Sequence, residues 1–155
     1  MARKKGNKYD QGQFHPRRVE KYKGKLPIIY RSSWEKKFCS FCDNTPQVIA
    51  WGSESVVIRY NDPSRKNTSH RYFIDFNMTV KTKDGSLQKF IVEVKPFKET
   101  QKPVLSARRK PATMKRELET YIRNQAKWKA ATEWAKQKGG TKFIVITEKD
   151  LFQQK

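Results

Sequence analysis

The sequence predicts an α/β protein, a mixed sheet flanked by helices in the order α-β-β-β-α-β. Three observations carry this. A capped amphipathic segment begins at Ser32. The stretch 71–95 alternates with period two on either side of a turn. A long helical segment after residue 113 leads into a last apolar strand. A strand, a long helix and a further strand normally cross over right-handed and pair in parallel, which makes the sheet mixed.

The elements follow in order. Residues 1–25 hold nine Lys and Arg against Asp10 and Glu20, a net of +7. They read as a basic N-terminal arm, partly disordered when free, that Tyr9, Phe14 and Tyr22 could anchor; residues 26–155 read as a single domain. Such an arm either solubilises the chain or contacts phosphates. Ser32 can cap the first helix, with Glu35 three residues on closing a capping box. Trp34, Phe38, Phe41 and Cys42 then share one helical face, and Asn44-Thr45-Pro46 ends it. Residues 48–51 and 56–60 are β-rich runs, with a bulge expected at Gly52 and Ser53. Residues 61–70 read as a polar loop. Residues 71–80 read as one alternating strand, with Tyr72, Ile74, Phe76, Met78 and Val80 on one side. Lys83-Asp84-Gly85 is a turn signal and 89–95 the next strand. Residues 96–112 form a long loop with three prolines, and 98–116 carry seven Lys and Arg against Glu99. A loop of this length in a small domain is functional or disordered. The second helix is expected over 113–138, with Leu118, Tyr121, Ile122, Trp128, Ala131, Trp134 and Ala135 as its apolar stripe. Gly139-Gly140 stops it, and 142–147 is the final strand.

The chain has 155 residues, 35 Lys and Arg and 15 Asp and Glu, for a net charge of +20. A single domain of ordinary size fits that length. Aromatic residues at 12% can fill a compact core despite a hydrophobic share of only 35%. No apolar run is long enough to span a bilayer, and Met1-Ala2-Arg3-Lys4-Lys5 is followed by no apolar segment of the kind a secretory signal needs. Cys39 and Cys42, three apart, cannot make a disulfide framework, so a reducing cytosol is the default. They lie mid-helix, with only His15 and His70 as further ligands for zinc and at unsuitable spacing, so they read as helix or core residues. The charge calls for a polyanionic partner: nucleic acid first, an anionic lipid surface second. No strong basic amphipathic helix supports the second.

Asp75, Glu93 and Lys95 carry the candidate chemistry. Period two places Glu93 and Lys95 on one face of their strand. A two-residue loop at Asp84-Gly85 would pair 75 with 94 and send Asp75 and Glu93 to opposite faces. A three-residue loop, 83–85, would pair 75 with 93, with Gly85 in the left-handed position of the bulge. Two facing carboxylates repel. A divalent cation turns that repulsion into a binding site, and Mg²⁺ is typically held by one or two carboxylates with water and phosphate. Lys95 could then orient or deprotonate a water, or stabilise the pentacovalent phosphorus. The plain alternative is a surface charge cluster. Glu35 is either a third carboxylate of the site or only a helix cap, and Glu54 is a weaker candidate for the same place that otherwise reads as a solvated strand-end residue.

This arrangement, Asp on one strand and Glu-x-Lys on the next within α-β-β-β-α-β, resembles the PD-(D/E)XK nuclease superfamily. Six segments resemble the head completion nuclease family of T-even-type tailed bacteriophages. They are Tyr30-Arg31-Ser32-Ser33-Trp34-Glu35-Lys36, Ile49-Ala50-Trp51-Gly52-Ser53-Glu54, Arg71-Tyr72-Phe73-Ile74-Asp75, Val92-Glu93-Val94-Lys95-Pro96, Lys98-Glu99-Thr100-Gln101 and Lys127-Trp128-Lys129-Ala130-Ala131. Transposon end-cleaving nucleases share the plan with less local similarity. The resemblance implies a PD-(D/E)XK nuclease-like core and a Mg²⁺-dependent DNA endonuclease in which Mn²⁺ can substitute. It implies that Asp75, Glu93 and the Val94 carbonyl bind the metal, that Lys95 assists the water, and that Glu35 joins the metal shell. It also implies action on double-stranded DNA in filled heads before tails attach, in the host cytoplasm or associated with the virion, beside head or portal proteins and at no membrane. Ile74 stands where the superfamily motif has proline, a position that varies widely.

Phosphate contacts are expected from Arg17, Arg18 and Lys21 in the arm and from Lys98, Lys102, Arg108, Arg109 and Lys110 in the loop. Backbone contacts should dominate, since no base-reading helix is evident. Two other readings fit the charge: a non-catalytic DNA-binding capsid completion protein that keeps the fold as scaffold, and an RNA-binding ribosomal-type protein. The second leaves the Asp75, Glu93 and Lys95 cluster unexplained.

Overall fold

A computed structural model describes residues 10–151. Tyr9 and the basic residues Arg3, Lys4, Lys5 and Lys8 of the expected arm lie outside the described residues. The elements are β1 (Gly12–Phe14), β2 (Ile28–Tyr30), α1 (Ser33–Asn44), β3 (Val48–Ser53), β4 (Val57–Asp62), β5 (Thr68–Phe73), β6 (Phe76–Lys81), β7 (Leu87–Val94), α2 (Phe97–Thr100), α3 (Pro111–Lys138), β8 (Thr141–Ile146) and α4 (Glu148–Leu151).

The central sheet runs β3-β6-β7-β8. Its first three strands pair antiparallel, and β7 pairs β8 in parallel across the α3 crossover. This is the expected mixed sheet. Its two faces are filled by alternate residues of the same strands. On one face Phe76, Met78, Val92 and Val94 pack against Phe38, Cys39 and Cys42 of α1, with Trp51 fully buried among them. On the other, Ile91 meets Ala131 and Ala135 of α3. Small residues at the second contact let the long helix lie close to the sheet. Burial pushes the Cys39 thiol up to about 12 and Cys42 well above its ordinary value, so both behave as core residues.

The second expected strand divides. Residues 71–80 are not one strand but the end of β5 and the start of β6, which belong to different sheets. At the junction the Ile74 N–H turns away and donates to the Val56 carbonyl at 3.0 Å. Tyr72 and Ile74 therefore pack in the α3 cluster, while Phe76 and Met78 pack in the α1 cluster. The polar stretch 61–70 is the tip of a β4–β5 hairpin rather than a plain loop. Asp62 and Thr68 close its ladder, and Asp62 caps the short turn that follows. The bulge lies between Val48 and Ala50, not at Gly52 and Ser53. Chain reversal instead falls at Glu54, in the left-handed region at φ 51°. In the loop 96–112, α2 occupies the first turn, and α3 starts two residues early because Pro111 suits a first helical position. Ile122 of the expected stripe is exposed.

The hairpin is tied to α3 through Asp62, whose side chain is fully buried. Its Oδ2 accepts from Arg123 Nε at 2.8 Å, and its Oδ1 accepts from the Ser64 N–H at 2.9 Å. Burial pushes this carboxyl up, but the bonds from Ser64 and Arg123 win and hold it below its ordinary value. A depressed carboxyl stabilises the fold above about pH 4, and that stability is lost as pH falls through the folded value. Asp62→Ala should therefore lower stability at neutral pH by about 2–4 kcal/mol, because Arg123 and Ser64 lose their acceptor. The difference from wild type should shrink below pH 4. Urea unfolding at pH 7 and pH 3 measures both.

Residues 10–25 are largely spent on the fold. β1 pairs with β2, and Phe14 and Tyr22 set their rings edge-on to Trp51 at 6.0 and 4.8 Å. The Arg17 and Arg18 N–H groups donate to the Asp43 carboxylate. Lys21 is buried, and its ammonium donates to the carbonyls of Cys42, Asp43 and Thr45 at 2.5–3.2 Å. This caps the C-terminus of α1, where unpaired carbonyls and the helix dipole favour a cation.

Candidate active site

The turn between β6 and β7 sets the register of the site. Gly85 takes φ 85°, the Thr82 N–H donates to the Ser86 carbonyl, and Phe76 stands opposite Val92. This is the three-residue-loop register, so position 75 faces 93 across the strands. Because the chain departs at Ile74, the Val94 N–H meets no backbone partner there. It donates instead to Asp75 Oδ2 at 2.9 Å. In an antiparallel strand a residue's N–H and C=O point to the same side. The Val94 carbonyl thus lies on the edge that β6 has just vacated, beside the Asp75 carboxylate.

Glu93 is buried. Its Oε2 accepts from the Tyr72 hydroxyl at 2.6 Å, and its Oε1 lies 3.5 Å from the Lys95 ammonium. Glu35 reaches the same neighbourhood from the first turn of α1. Its N–H donates to the Ser32 hydroxyl at 3.1 Å, and its carboxylate accepts from the Arg31 N–H at 2.8 Å. The capping contact thus reaches one residue further back than a capping box, and leaves Glu35 close enough to Glu93 and Asp75 for mutual repulsion.

The electrostatics follow from this crowding. Burial, then Glu93 and Glu35, push the Asp75 carboxyl well above its ordinary value, against the Val94 N–H and Lys95. Burial also raises Glu35, opposed by Arg31. Burial alone would lower the Lys95 ammonium, but Glu93 and Asp75 raise it, so it is firmly protonated at neutral pH. Three carboxyls therefore crowd around Lys95, with Arg31 and Lys127 as the further cations within electrostatic reach.

Other residues hold this group in place, and of these only Glu54 was weighed for it from the sequence. Tyr72 binds Glu93, yet its strand position read only as an apolar face. The Glu54 N–H donates to the Asp75 carbonyl at 3.0 Å, and its carboxylate pairs with the Arg31 guanidinium, so Glu54 is not simply solvated. Lys127 of α3 sits 5.3 Å from the Tyr72 ring and 5.7 Å from the Tyr60 ring. Burial, then Lys95, lower its ammonium below the ordinary value. The signal for Lys127 was its place one turn before Ala131 of the apolar stripe, within the Lys127-Trp128-Lys129-Ala130-Ala131 segment.

Of the expected phosphate contacts, Arg17, Arg18, Lys98, Lys102, Arg108 and Lys110 are exposed. Lys21 is buried as described. Arg109 is half-buried and makes a two-pronged bond to Glu117 at 2.7 and 2.8 Å. The structure does not bring His15 or His70 to the cysteines; His70 bonds Thr68 and stacks near Tyr60. Among the described residues, no three His, Cys, Asp or Glu side chains form a metal cage by themselves. No helix among them is long and apolar enough to cross a membrane.

A mixed sheet with an acid pair and a lysine at the end of its antiparallel hairpin is the architecture of a nuclease-like domain. The profile of the TnsA-like endonuclease N-terminal family matches residues 45–148, which hold Asp75, Glu93 and Lys95. The chain belongs to this endonuclease family. Along nearly its whole length it is similar to the head completion nuclease of Enterobacteria phage T4, 44% identical over 146 residues, covering 90% of this chain and 92% of that protein. No solved structure matches it.

Proposed function

We propose that this nuclease is a divalent-metal-dependent endonuclease that hydrolyses phosphodiester bonds of double-stranded DNA, and that it acts in phage head completion after DNA packaging. The observation that supports it best is the register that sets Asp75 against Glu93, with the Lys95 ammonium 3.5 Å from Glu93. Head completion is the role by which the T4 relative is named. On this reading the protein works in the host cytoplasm during assembly or with the virion, beside head or portal proteins.

The donors suit a hard cation. Asp75, Glu93 and the Val94 carbonyl offer only oxygen, and the repulsion among Asp75, Glu93 and Glu35 is relieved by positive charge. These three groups would hold Mg²⁺, with Mn²⁺ able to substitute, and Glu35 would complete the shell through water or directly. A bound metal supplies charge for the phosphoryl oxygens and acidity for a water. The protein does the rest. Tyr72 fixes the Glu93 carboxylate, the Val94 N–H fixes Asp75, and Lys95 positions the water and stabilises charge growing on phosphorus. Exposed Arg17, Arg18, Lys98, Lys102, Arg108 and Lys110 hold flanking phosphates.

Purified protein should nick or linearise supercoiled duplex plasmid in Mg²⁺ or Mn²⁺, stop in EDTA, and recover on adding metal. Equal cutting in EDTA would remove the metal from the mechanism. Binding without cutting in any metal would leave the scaffold reading.

A further inference from the structure

The β4–β5 hairpin stands outside the central sheet and presents two unlike faces. Its inner face, Ile58, Tyr60, Asp62 and Tyr72, is buried. Its outer face carries Val57, Arg59 and Asn61 on β4 and Ser69, Arg71 and Phe73 on β5, all exposed. The ladder sets Arg59 directly opposite Arg71 and Val57 directly opposite Phe73. Like charges directly opposite destabilise a strand pair. Among the described residues no carboxylate lies within ion-pair distance of either arginine, and the hairpin's own acid, Asp62, is turned inward to Arg123. The Arg71 guanidinium lies 5.5 Å from the centre of the Phe73 ring, and Phe73 and Val57 remain 48% and 45% exposed. Lys66, in the left-handed region at φ 55°, adds a cation at the tip.

We propose that this outer face is a grip for the sugar-phosphate backbone of duplex DNA, with Arg59 and Arg71 each taking a phosphate and Phe73 lying against the adjoining sugar. The inference rests on the reading of duplex DNA as substrate. Two features favour a nucleic acid over an acidic protein surface. Arg and Lys side chains supply much of the phosphate bonding that makes up most protein–DNA contacts, and two uncompensated arginines side by side on a chain of net charge +20 offer two such contacts. The hairpin is also anchored to the reacting groups themselves. Tyr72, between Arg71 and Phe73, donates to Glu93 from the inner face, and Phe73 stands two residues before Asp75. A duplex held on this ribbon is therefore held in register with the acid pair, although neither arginine touches it.

The test is binding of a short fluorescent duplex in EDTA across a salt series, by anisotropy, with wild type, Arg59→Ala/Arg71→Ala and Arg59→Lys/Arg71→Lys. The alanine pair should weaken binding at least about tenfold and flatten the slope of log K against log salt by about 2, since each phosphate contact contributes about 0.9. The lysine pair should keep the wild-type slope, because the slope counts charges. An unchanged slope in the alanine pair overturns the grip, and so does an equally flattened slope in the lysine pair, which would mark a structural effect. These readings need no cleavage. A wild type that never cuts but whose slope falls in the alanine pair would sink the nuclease reading and leave the grip. A wild type that cuts while the slope is unmoved would do the reverse.

Discussion

Asp75→Asn should lower the rate of DNA cleavage by roughly a thousandfold or more, the order expected when a metal-binding carboxylate is lost, while raising the melting temperature. The two effects share a cause. Asparagine keeps an oxygen that can accept the Val94 N–H, so the local hydrogen bonding survives. It removes a carboxylate that burial, Glu93 and Glu35 disfavour in its charged form. An acid whose folded value is raised stabilises the fold only while protonated. That stability is lost as pH rises from about 4 through the folded value, so at neutral pH, above the unfolded value, this carboxyl works against the fold. Neutralising it relieves the repulsion. Mg²⁺ should do the same for wild type, raising its melting temperature as any ligand of the native state does. Asp75→Asn should respond to Mg²⁺ far less. Thermal melts with and without Mg²⁺, beside plasmid cleavage, test this. A variant that melts lower, or that gains as much from Mg²⁺ as wild type, would show that Asp75 is not the uncompensated charge of the site.

Much of this geometry was legible in the sequence because it depends on local rules. The 83–85 turn holds glycine where a left-handed residue is needed, and once that loop is three residues long, 75 must face 93. The mixed sheet followed from one long helix between two apolar strands. The break at Ile74 was not legible. Alternation runs through 71–80 without a fault, since Tyr72 and Phe76 are both buried, only against different helices. Periodicity reports that a residue is inside, not which cluster receives it. The same blindness hid the hairpin. Its outer face is largely polar and its tip rich in turn residues, so the last two residues of β4 and the first three of β5 read as loop. Charge misled in the other direction at Lys21. A lysine in a basic arm reads as a phosphate contact, and nothing local shows that a helix end 21 to 24 residues downstream presents carbonyls to it. Glu35 could not be read one way, because its carboxylate accepts from the Arg31 N–H at the helix start and lies within repulsion range of Asp75 and Glu93.

Lys95→Met should also abolish measurable cleavage, by roughly 10²–10⁴-fold, but its effect on stability should have the opposite sign. Methionine keeps much of the stem and its packing while deleting the ammonium. Glu93, buried and 3.5 Å from that ammonium, then keeps the bond from the Tyr72 hydroxyl but loses its ion pair. Leaving a buried carboxylate without its cation should lower stability by about 1–3 kcal/mol at neutral pH. The pairing also bears on mechanism. Glu93 and Asp75 hold Lys95 protonated against the pull of burial. A lysine in that state donates hydrogen bonds and charge; it does not accept a proton from water. Its contribution to cleavage should therefore be electrostatic, and the rate should show no requirement for a deprotonated lysine as pH is raised from 6 to 8. Arginine at this position should restore the stability but not the rate, since its planar fork cannot occupy the place of a compact ammonium between Glu93 and a phosphate. A Lys95→Arg protein that cuts like wild type would reduce Lys95 to a counter-ion for Glu93 and move the search for the water-positioning group to Lys127, the other cation that Asp75 and Glu93 reach.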